Sequence, residues 1–211
     1  MKLKQLVEAR YGKDVSLQDM GLTRLPADLP KEITGNFLCD ENELTSLEHC
    51  PSQIGGDFYC GYNQLTSLKF CPSQIGGDFY CYHNKLTSLE HCPSHIGGDF
   101  LCNENELTSL EFCPSQIGGD FSCSYNELTS LKDVHTHIRK VDGGFRCVRN
   151  HIESHILGLM LIDIDGEIMT GLGSMNDVDS ILNKWKNQGR KGVLGAQREL
   201  IAAGYKELAQ I

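Results

Sequence analysis

The amino-acid sequence predicts an α/β fold leaning to β, built as a solenoid of stacked coils. A 21-residue unit recurs along the middle of the chain, and a period of this size is typical of stacked supersecondary units. Within each unit apolar and polar residues alternate over a short stretch, which indicates a strand with one buried side. With 211 residues and 40% hydrophobic content, the chain can form one elongated domain with its own core.

Each unit begins with a strand and a turn, in the pattern Phe-x-Cys-x-x-Asn-x-Leu-Thr-Ser-Leu. In the copy that begins at Phe79, this residue and Cys81 point to one side of a short strand and Tyr80 to the other. The amide of Asn84 is expected to hydrogen-bond to the backbone where the chain turns. The pattern resembles the leucine-rich repeat, L-x-L-x-x-N-x-L, at the short end of its length range. This resemblance implies a leucine-rich-repeat solenoid with short parallel strands on its concave face.

The return to the next strand departs from that repeat. The position three residues before the phenylalanine is glycine, as in Gly55 and Gly76, where the leucine-rich repeat usually has leucine. A Gly-Gly pair permits positive φ and a tight return into the strand. The convex side is therefore expected to consist of turns and extended chain rather than helix.

The repeat pattern divides the chain into three segments. Residues 1-14 are predicted as an N-terminal cap, 15-156 as the solenoid and 157-211 as a capping module of a hairpin and two helices. Apolar residues at helical spacing from Lys2 to Arg10 predict a short amphipathic helix over the first coil. That coil is atypical, as terminal repeats are, because Met20 replaces the asparagine.

Five regular coils follow the atypical one. Their strands are predicted to begin at Phe37, Phe58, Phe79, Phe100 and Phe121. A seventh coil begins at Phe145, 24 residues after Phe121, so three residues are inserted between these two strands. A bulging loop is therefore expected between Asp133 and Lys140.

The C-terminal segment no longer follows the unit. The apolar stretch from Ile156 to Ile164, the turn signal Asp165-Gly166 and a return strand from Glu167 to Thr170 predict a hairpin. A first helix, capped by Asn176 or Ser174, has on one side Val178, Ile181, Leu182 and Trp185. A second helix carries on its apolar side Val193, Leu200, Ile201, Tyr205 and Leu208. The module is expected to cap the solenoid; a second binding surface and a dimer contact are the alternatives.

Net charge is unevenly distributed along the chain. Phe37 to Leu131 contains thirteen acidic residues against two lysines, whereas the whole chain has a net charge of -9. The solenoid is therefore the acidic part, which disfavours direct binding of nucleic acid through it. The sequence shows no signal peptide or long apolar run, so a cytoplasmic location without membrane contact is expected.

Nine of the ten cysteines form two ladders at the repeat period, from Cys39 to Cys123 and from Cys50 to Cys113. Residues that recur in this way fill equivalent core positions, and free cysteine behaves as a small hydrophobic residue. Reduced packing cysteines are therefore expected, with disulfides or metal binding as the alternatives. Because no C-x-x-C pair occurs, a structural zinc site has little support.

No catalytic motif is recognisable, so the chain is interpreted as a non-enzyme without a cofactor or a metal. Near the inserted residues and Cys147 the sequence has four histidines, His135, His137, His151 and His155. They are interpreted as surface residues because no known metal-binding motif accompanies them. A nucleophile next to a base and an orienting third residue is not found.

The exposed side of the strands is the candidate binding surface. The residues assigned to protein binding there are Leu38, Asp40, Glu41, Tyr59, Tyr62, Tyr80, Tyr82, His83, Leu101, Asn103, Glu104, Tyr125, Arg146 and Arg149. Neighbouring strands are about 4.8 Å apart, so the four central tyrosines and His83 are expected to form one aromatic patch. Tyrosine combines a large contact area with a polar tip and is enriched at protein interfaces. The alternative is that these tyrosines only cover the strands.

A second resemblance rests on the full unit, Gly-Gly-Asp-Phe-Tyr-Cys-x-x-Asn-x-Leu-Thr-Ser-Leu, with its Cys-Pro-Ser-x-Ile link. It is similar to leucine-rich-repeat proteins encoded by tailed bacteriophages and some bacteria. Similar C-terminal segments are Ile156 to Leu159, Ile181-Leu182-Asn183-Lys184, Gly189 to Gly192 and Gln197 to Gly204. Together the segments cover about residues 15 to 211.

The resemblance implies a scaffold that binds proteins. Some phage members look like counter-defence factors that neutralise host toxins, including the DarT type that ADP-ribosylates DNA. It therefore implies an inhibitor of a host protein, either a defence enzyme or a toxin, that acts through the concave face. The sequence leaves the oligomeric state open, with a monomer favoured. Two alternatives are open, a passive adaptor and an acidic DNA mimic. The mimic would present the carboxylates of Asp57, Asp78, Asp99 and Asp120 to a nucleic-acid enzyme.

Overall fold

A computed structural model describes residues 13–173 and 177–210 of the chain. The helix predicted from Lys2 to Arg10 and the helix cap predicted at Ser174 or Asn176 lie outside these residues. The described chain forms a parallel β-solenoid of about seven turns, which a helical part follows.

Two parallel sheets of two-residue strands run along the solenoid. The first sheet has eight strands, which are β1 (Val15–Ser16), β3 (Phe37–Leu38), β5 (Phe58–Tyr59), β7 (Phe79–Tyr80), β9 (Phe100–Leu101), β11 (Phe121–Ser122), β13 (Phe145–Arg146) and β15 (Ile168–Met169). The second sheet has seven strands, which are β2 (Glu32–Ile33), β4 (Gln53–Ile54), β6 (Gln74–Ile75), β8 (His95–Ile96), β10 (Gln116–Ile117), β12 (Lys140–Val141) and β14 (Asp163–Ile164). Equivalent residues pair from coil to coil, so one repeat lies directly over the next.

A column of phenylalanines forms the centre of the core. The predicted strand starts are confirmed, because β3 to β11 of the first sheet begin at the repeated phenylalanines and β13 begins at Phe145. From Phe37 to Phe121 the rings stack nearly parallel, with centroids 5.3–5.7 Å apart, and all are fully buried. Burying a side chain of this size contributes about 1.5–3 kcal/mol. The column therefore stabilises each coil against both neighbours.

The repeated asparagine holds each turn, as Asn63 shows. Its Nδ2 donates to the carbonyl oxygens of Cys60 and Gly61 in its own coil, at 3.2 and 3.0 Å. The same amide group donates to the carbonyl oxygen of Cys39 in the preceding coil at 3.0 Å, and Oδ1 accepts the N–H of Leu44 at 2.9 Å. The predicted hydrogen bond to the turn is confirmed, and these bonds also satisfy buried backbone groups of the neighbouring coil.

The Gly-Gly pairs form the corner between the two sheets, for a reason other than the predicted one. Neither Gly76 nor Gly77 has positive φ. A Cβ atom on Gly77 would lie 2.1 Å from Oδ1 of Asp57, and one on Gly76 would lie 2.2 Å from the carbonyl oxygen of Gly55. The neighbouring coil thus approaches too closely for any side chain. The strands of the second sheet precede these pairs. They form a regular parallel sheet on the side where the sequence predicts only turns and extended chain.

The aspartate after each Gly-Gly pair forms a second ladder between coils. Oδ1 of Asp57 accepts the backbone N–H of Asp78 at 2.8 Å, and Oδ1 of Asp78 accepts that of Asp99 at 2.7 Å. In the preceding coil Asn36 has the same role toward Asp57. One side-chain oxygen per coil is therefore committed to joining the coils.

An eighth coil replaces the predicted hairpin. β14 pairs with β12 and β15 pairs with β13, in both cases in parallel. The sequence from Ile164 to Ile168 takes the place of the Ile-Gly-Gly-Asp-Phe corner, so Asp165-Gly166 turns the chain between sheets instead of reversing it. The apolar stretch Ile156–Leu161 is a 3-10 helix.

A short helix replaces the predicted bulging loop. Within Asp133 to Lys140 the structure has α1 (Val134–His137), with Val134 and Ile138 buried. These two apolar side chains pack into the core and hold the inserted residues in a turn of helix.

The two predicted C-terminal helices are confirmed as α2 (Asp177–Trp185) and α3 (Gly189–Ala202). Val193 and Leu200 are buried as predicted, but Ile201 is 51% exposed. Tyr205 and Leu208 follow the end of α3 rather than lying on it. None of the helices in the described parts of the chain is long and apolar enough to cross a membrane.

The amides of Asn183 and Asn187 end the two sheets. Asn183 accepts the N–H of Ile168 at 2.9 Å and donates to its carbonyl oxygen at 2.7 Å, as a further strand would. Asn187 does the same toward Ile164 in the second sheet, at 3.4 and 2.8 Å. Unpaired edge strands promote association with other chains. These side chains remove that opportunity at the C-terminal end.

All ten cysteines are free thiols, and those that follow the strands of the first sheet are fully buried. Burial raises the pKa of Cys81, as it does for the other ladder cysteines, so the thiols stay protonated at neutral pH. The cysteines that follow the strands of the first sheet fill core positions between the phenylalanine and asparagine columns.

The substitution Phe79→Ala is expected to lower the free energy of unfolding by about 3–5 kcal/mol, because it leaves a cavity within the ring column. Urea denaturation followed by circular dichroism measures the change. The matched control is Phe112→Ala, since this phenylalanine is 50% exposed. Equal denaturation midpoints for the two variants would contradict the role of the column.

The substitution Asn183→Ala is expected to lower the free energy of unfolding by about 1–3 kcal/mol, because the N–H and carbonyl of Ile168 lose their partners. Ser180→Ala, on the exposed side of the same helix, is the control and should have little effect. A midpoint for Asn183→Ala equal to that of the control would show that the amide does not end the sheet.

Candidate binding surface

Five rings on the outer face of the first sheet are in mutual contact. The ring centroids of Tyr59 and Tyr80 are 4.8 Å apart, and those of Tyr62 and His83 are 4.3 Å apart. Tyr82 joins the two pairs, since its ring lies 5.3 Å from that of Tyr62 and 6.2 Å from that of Tyr80. We call these five residues the aromatic cluster. Aromatic pairs contribute about 0.5–1.5 kcal/mol beyond the area they bury, so the cluster has a defined arrangement.

Tyr62 and His83 stand where the chain leaves the strand, in left-handed backbone conformation. Their φ angles are 48° and 49°. This conformation is unfavourable by about 1–2 kcal/mol for residues other than glycine. In other coils the same position is left-handed and is occupied by Glu41, Glu104, Tyr125 and Arg149. The left-handed conformation therefore belongs to the repeat, and the coils differ only in the side chain that they carry there.

The aspartate ladder fixes two hydroxyl groups of the aromatic cluster. Tyr80 donates to Oδ2 of Asp78 at 2.6 Å, and Tyr59 donates to Oδ2 of Asp57 at 3.4 Å. Burial, together with the Asp78 carboxylate, raises the pKa of Tyr80, so its hydroxyl remains a donor. Among the described residues, the hydroxyl of Tyr82 has no hydrogen-bond partner.

Asp40 is predicted to be exposed, but the structure buries it, with 6% of its surface accessible. In the next coil Gly61 stands at the equivalent position, and the ring of Tyr82 extends over this glycine. The Nε2 of Gln18 donates to Oδ2 of Asp40 at 2.9 Å and to Oε1 of Glu41 at 3.1 Å. Burial, reinforced by the Glu41 carboxylate, raises the pKa of Asp40.

The other predicted residues extend along the same face. Those that are exposed are Glu41, Tyr125 and Arg149, and those that are half-buried are Leu38, Leu101, Asn103, Glu104 and Arg146. Oε2 of Glu104 lies 2.7 Å from Nε2 of His83, so it adjoins the aromatic cluster. Arg146 lies three strands beyond Tyr80 and pairs with Asp120, whose pKa it lowers. The arginines therefore belong to a separate part of the face.

Sequence reasoning did not assign three residues that shape this surface, which are Gln18, Gly61 and Asp78. Gln18 lies in the first coil at the position equivalent to Asp40, but its hydrogen bonds to Asp40 and Glu41 depend on side-chain direction, which register does not give. Gly61 could have been found from the repeat alignment, because a glycine there stands between two large residues, Asp40 and Tyr82, at the equivalent positions of the neighbouring coils. The sequence indicates Asp78 only as a member of the carboxylate row of the DNA-mimic alternative, because its hydrogen bond to Tyr80 depends on side-chain direction.

Near the inserted helix, His155 is hydrogen-bonded rather than free. Its Nδ1 lies 2.9 Å from Oγ of Ser154 and 3.3 Å from Oγ of Ser130. Within residues 13–173 and 177–210, the structure has no group of three or more His, Cys, Asp or Glu side chains arranged to hold a metal ion.

No protein-family model matches the chain, and no curated protein is significantly similar to it.

The substitution Asp40→Asn tests whether the buried carboxylate destabilises the fold. Because folding raises the pKa of Asp40, its ionised form destabilises the fold above that pKa, and this penalty disappears in acid, where the carboxyl is protonated in both states. We expect the variant to be more stable than wild type at about pH 7 and the difference to shrink toward about pH 4.

Urea denaturation at several pH values measures this difference. Glu106→Gln removes an exposed carboxylate of the same acidic solenoid and is the control. A wild type that is more stable than Asp40→Asn at neutral pH would contradict the assignment.

Proposed function

We propose that this protein is a non-enzymatic protein-binding module that captures its partner on the outer face of the first sheet. The aromatic cluster is the observation that carries the proposal. It supplies four tyrosines and a histidine from two adjacent coils, and Tyr62 is 48% exposed. Tyrosine and other aromatic residues dominate the binding energy of many interfaces.

Preorganisation supports this assignment. Strands β5 and β7 hold the backbone, the aspartate ladder orients Tyr59 and Tyr80, and His83 is held between Tyr62 and Glu104. Ordering a free side chain at an interface opposes binding by about 0.5–1.5 kcal/mol. Rings that are already fixed avoid most of this loss.

The charge of the solenoid favours a basic partner. Thirteen acidic residues lie between Phe37 and Leu131, against two lysines. Complementary charge accelerates encounter and excludes acidic proteins. A protein with a basic nucleic-acid-binding cleft has the required chemistry.

In this proposal the chain is a leucine-rich-repeat protein of the bacteriophage type, and its partner is a host defence enzyme or toxin in the cytoplasm. The support is the 21-residue unit and the C-terminal segments quoted above. A DarT-type DNA ADP-ribosyltransferase is the first individual partner to test, because it must bind DNA through a basic surface.

The aspartate ladder argues against the DNA-mimic alternative. Both carboxylate oxygens of Asp57 and Asp78 accept hydrogen bonds within the protein. A mimic of the phosphate backbone needs carboxylates that are free to bind the partner. An interface anchored on tyrosines makes no such demand.

The double substitution Tyr80→Ala and Tyr82→Ala is expected to abolish capture of the partner from bacterial lysate, with the fold retained. Immobilised wild type, the double variant and Phe112→Ala are compared at low and high salt, and captured proteins are identified by mass spectrometry. Phe112→Ala removes an exposed ring away from the cluster and should capture as wild type does. Inhibition of the identified protein, or of DarT-catalysed transfer of ADP-ribose to DNA, is then measured.

Capture by the double variant equal to that of wild type would refute the aromatic-anchored interface. If capture survives the tyrosine changes but is lost in high salt, the DNA-mimic alternative gains support. Capture without inhibition would indicate an adaptor.

A further inference from the structure

A gap in the outer face lies beside the aromatic cluster, at Gly61. Asp40, Gly61 and Tyr82 occupy equivalent positions in three successive coils. Neighbouring strands are about 4.8 Å apart, so the missing side chain leaves room between the other two. The ring of Tyr82 fills part of it, with Cε2 and Cζ at 3.1 and 3.2 Å from where a Cβ on Gly61 would lie.

The backbone does not require this glycine. Gly61 has no positive φ. At the equivalent position other coils have Asn103, Ser124 and Val148, so side chains of several sizes are compatible with the coil. The gap is therefore a feature of the surface and not of the repeat.

A buried acceptor without a partner lies at one side of the gap. Asp40 is 6% exposed, and Oδ2 accepts a hydrogen bond from Gln18. Oδ1 is buried and has no hydrogen-bond partner among the described residues. A carboxylate oxygen left in this state is unfavourable, because it has lost water without gaining a donor. Such an atom on a candidate binding surface indicates a missing donor.

The surroundings specify what kind of donor is missing. Glu41 adds a second, exposed carboxylate next to Asp40, and burial together with both acids raises the pKa of Tyr82. The rings of Tyr62 and Tyr82 form the other side. We call Gly61 with these four residues the acidic–aromatic notch. Two carboxylates facing two aromatic rings match a planar cation.

We propose that the acidic–aromatic notch receives an arginine side chain of the bound protein. This inference rests on the proposed function and names the chemistry of the partner at one point. Guanidinium has five N–H donors in a plane, so it bonds to the free oxygens of Asp40 and Glu41 while its face stacks on a tyrosine ring. Lysine lacks both the fork of donors and the flat face.

Binding requires a movement of Tyr82, because its ring lies over Gly61 in the free protein and fills part of the gap. This ring is suited to move, because its hydroxyl has no hydrogen-bond partner among the described residues, unlike those of Tyr59 and Tyr80. Rotation of the Tyr82 side chain opens the space over Gly61 and brings the ring against the incoming guanidinium.

The test is an NMR titration of wild-type protein with capped tripeptides. The probes are Gly-Arg-Gly, Gly-Lys-Gly and the analogue in which neutral citrulline replaces arginine. We expect the arginine peptide to cause saturable shifts of the Tyr62 and Tyr82 ring signals. Citrulline keeps the shape but loses the charge, so its binding should be roughly tenfold weaker or more, as is typical when a charge-assisted hydrogen bond is lost.

Two variants and a control localise the binding. Asp40→Asn removes the charge at the base of the notch, and Gly61→Val fills the gap with a residue that the equivalent position Val148 tolerates. Both should lose the arginine-induced shifts. Glu106→Gln removes an exposed carboxylate elsewhere and should keep them. The peptide comparison on wild type stands even if one variant does not fold.

Several results would overturn the proposal. One is the absence of ring shifts up to the solubility limit of the arginine peptide. Another is binding of the lysine or citrulline peptide as tight as that of the arginine peptide. The third is binding of the arginine peptide by folded Asp40→Asn and Gly61→Val that equals binding by wild type. The titration is independent of lysate capture. Arginine-specific shifts without a captured host protein would therefore support the arginine site and refute the host partner. Capture of a host protein without arginine-specific shifts would support the host partner and refute the arginine site.

Discussion

Contact between equivalent residues in successive coils is the constraint on which this structure depends. A coil in a solenoid touches only its neighbours, so each column of side chains must return to the same place after every turn. Phe58 stacks on Phe79, the amide of Asn63 bonds to the preceding coil, and Oδ1 of Asp57 bonds to the following one. All three columns share the period of 21 residues. Extra residues are accepted only as a separate element with its own buried side chains, as in α1.

The same constraint explains why the outer face of the first sheet is free to vary. The phenylalanine, asparagine and aspartate columns join every coil to its neighbours, whereas side chains of that face join only some of them, so its residues differ from coil to coil while the columns do not. Two features of the face oppose stability. Tyr62 and His83 adopt left-handed backbone conformation, and Asp40 buries an oxygen without a donor. Unfavourable backbone conformations persist only where the surrounding structure enforces them, and they cluster at functional sites.

Open ends are the weakness of any solenoid, and here polar side chains close the C-terminal end. Asn183 and Asn187 offer the hydrogen bonds of a further strand to the first and second sheets. α2 can therefore terminate the stack without adding to it. The helical part also lies at the far end of the first sheet from Asp40, since β1 and β15 are the two edges of that sheet. The C-terminal cap and the proposed binding surface thus lie apart along the solenoid.

The sequence by itself determined the period, the coil register, the phenylalanine and asparagine columns and the positions of α2 and α3. These features are repeated or periodic, so each copy reinforces the others and local chemistry suffices to predict them. It also indicated which rings share a face, because register alone brings Tyr59 beside Tyr80. Only the tertiary structure decided why the Gly-Gly pairs are glycine, why the expected hairpin is an eighth coil, and that Asp40 is buried. Each of these depends on what a neighbouring coil places against the residue, and a distance between residues far apart in sequence is not contained in the local pattern.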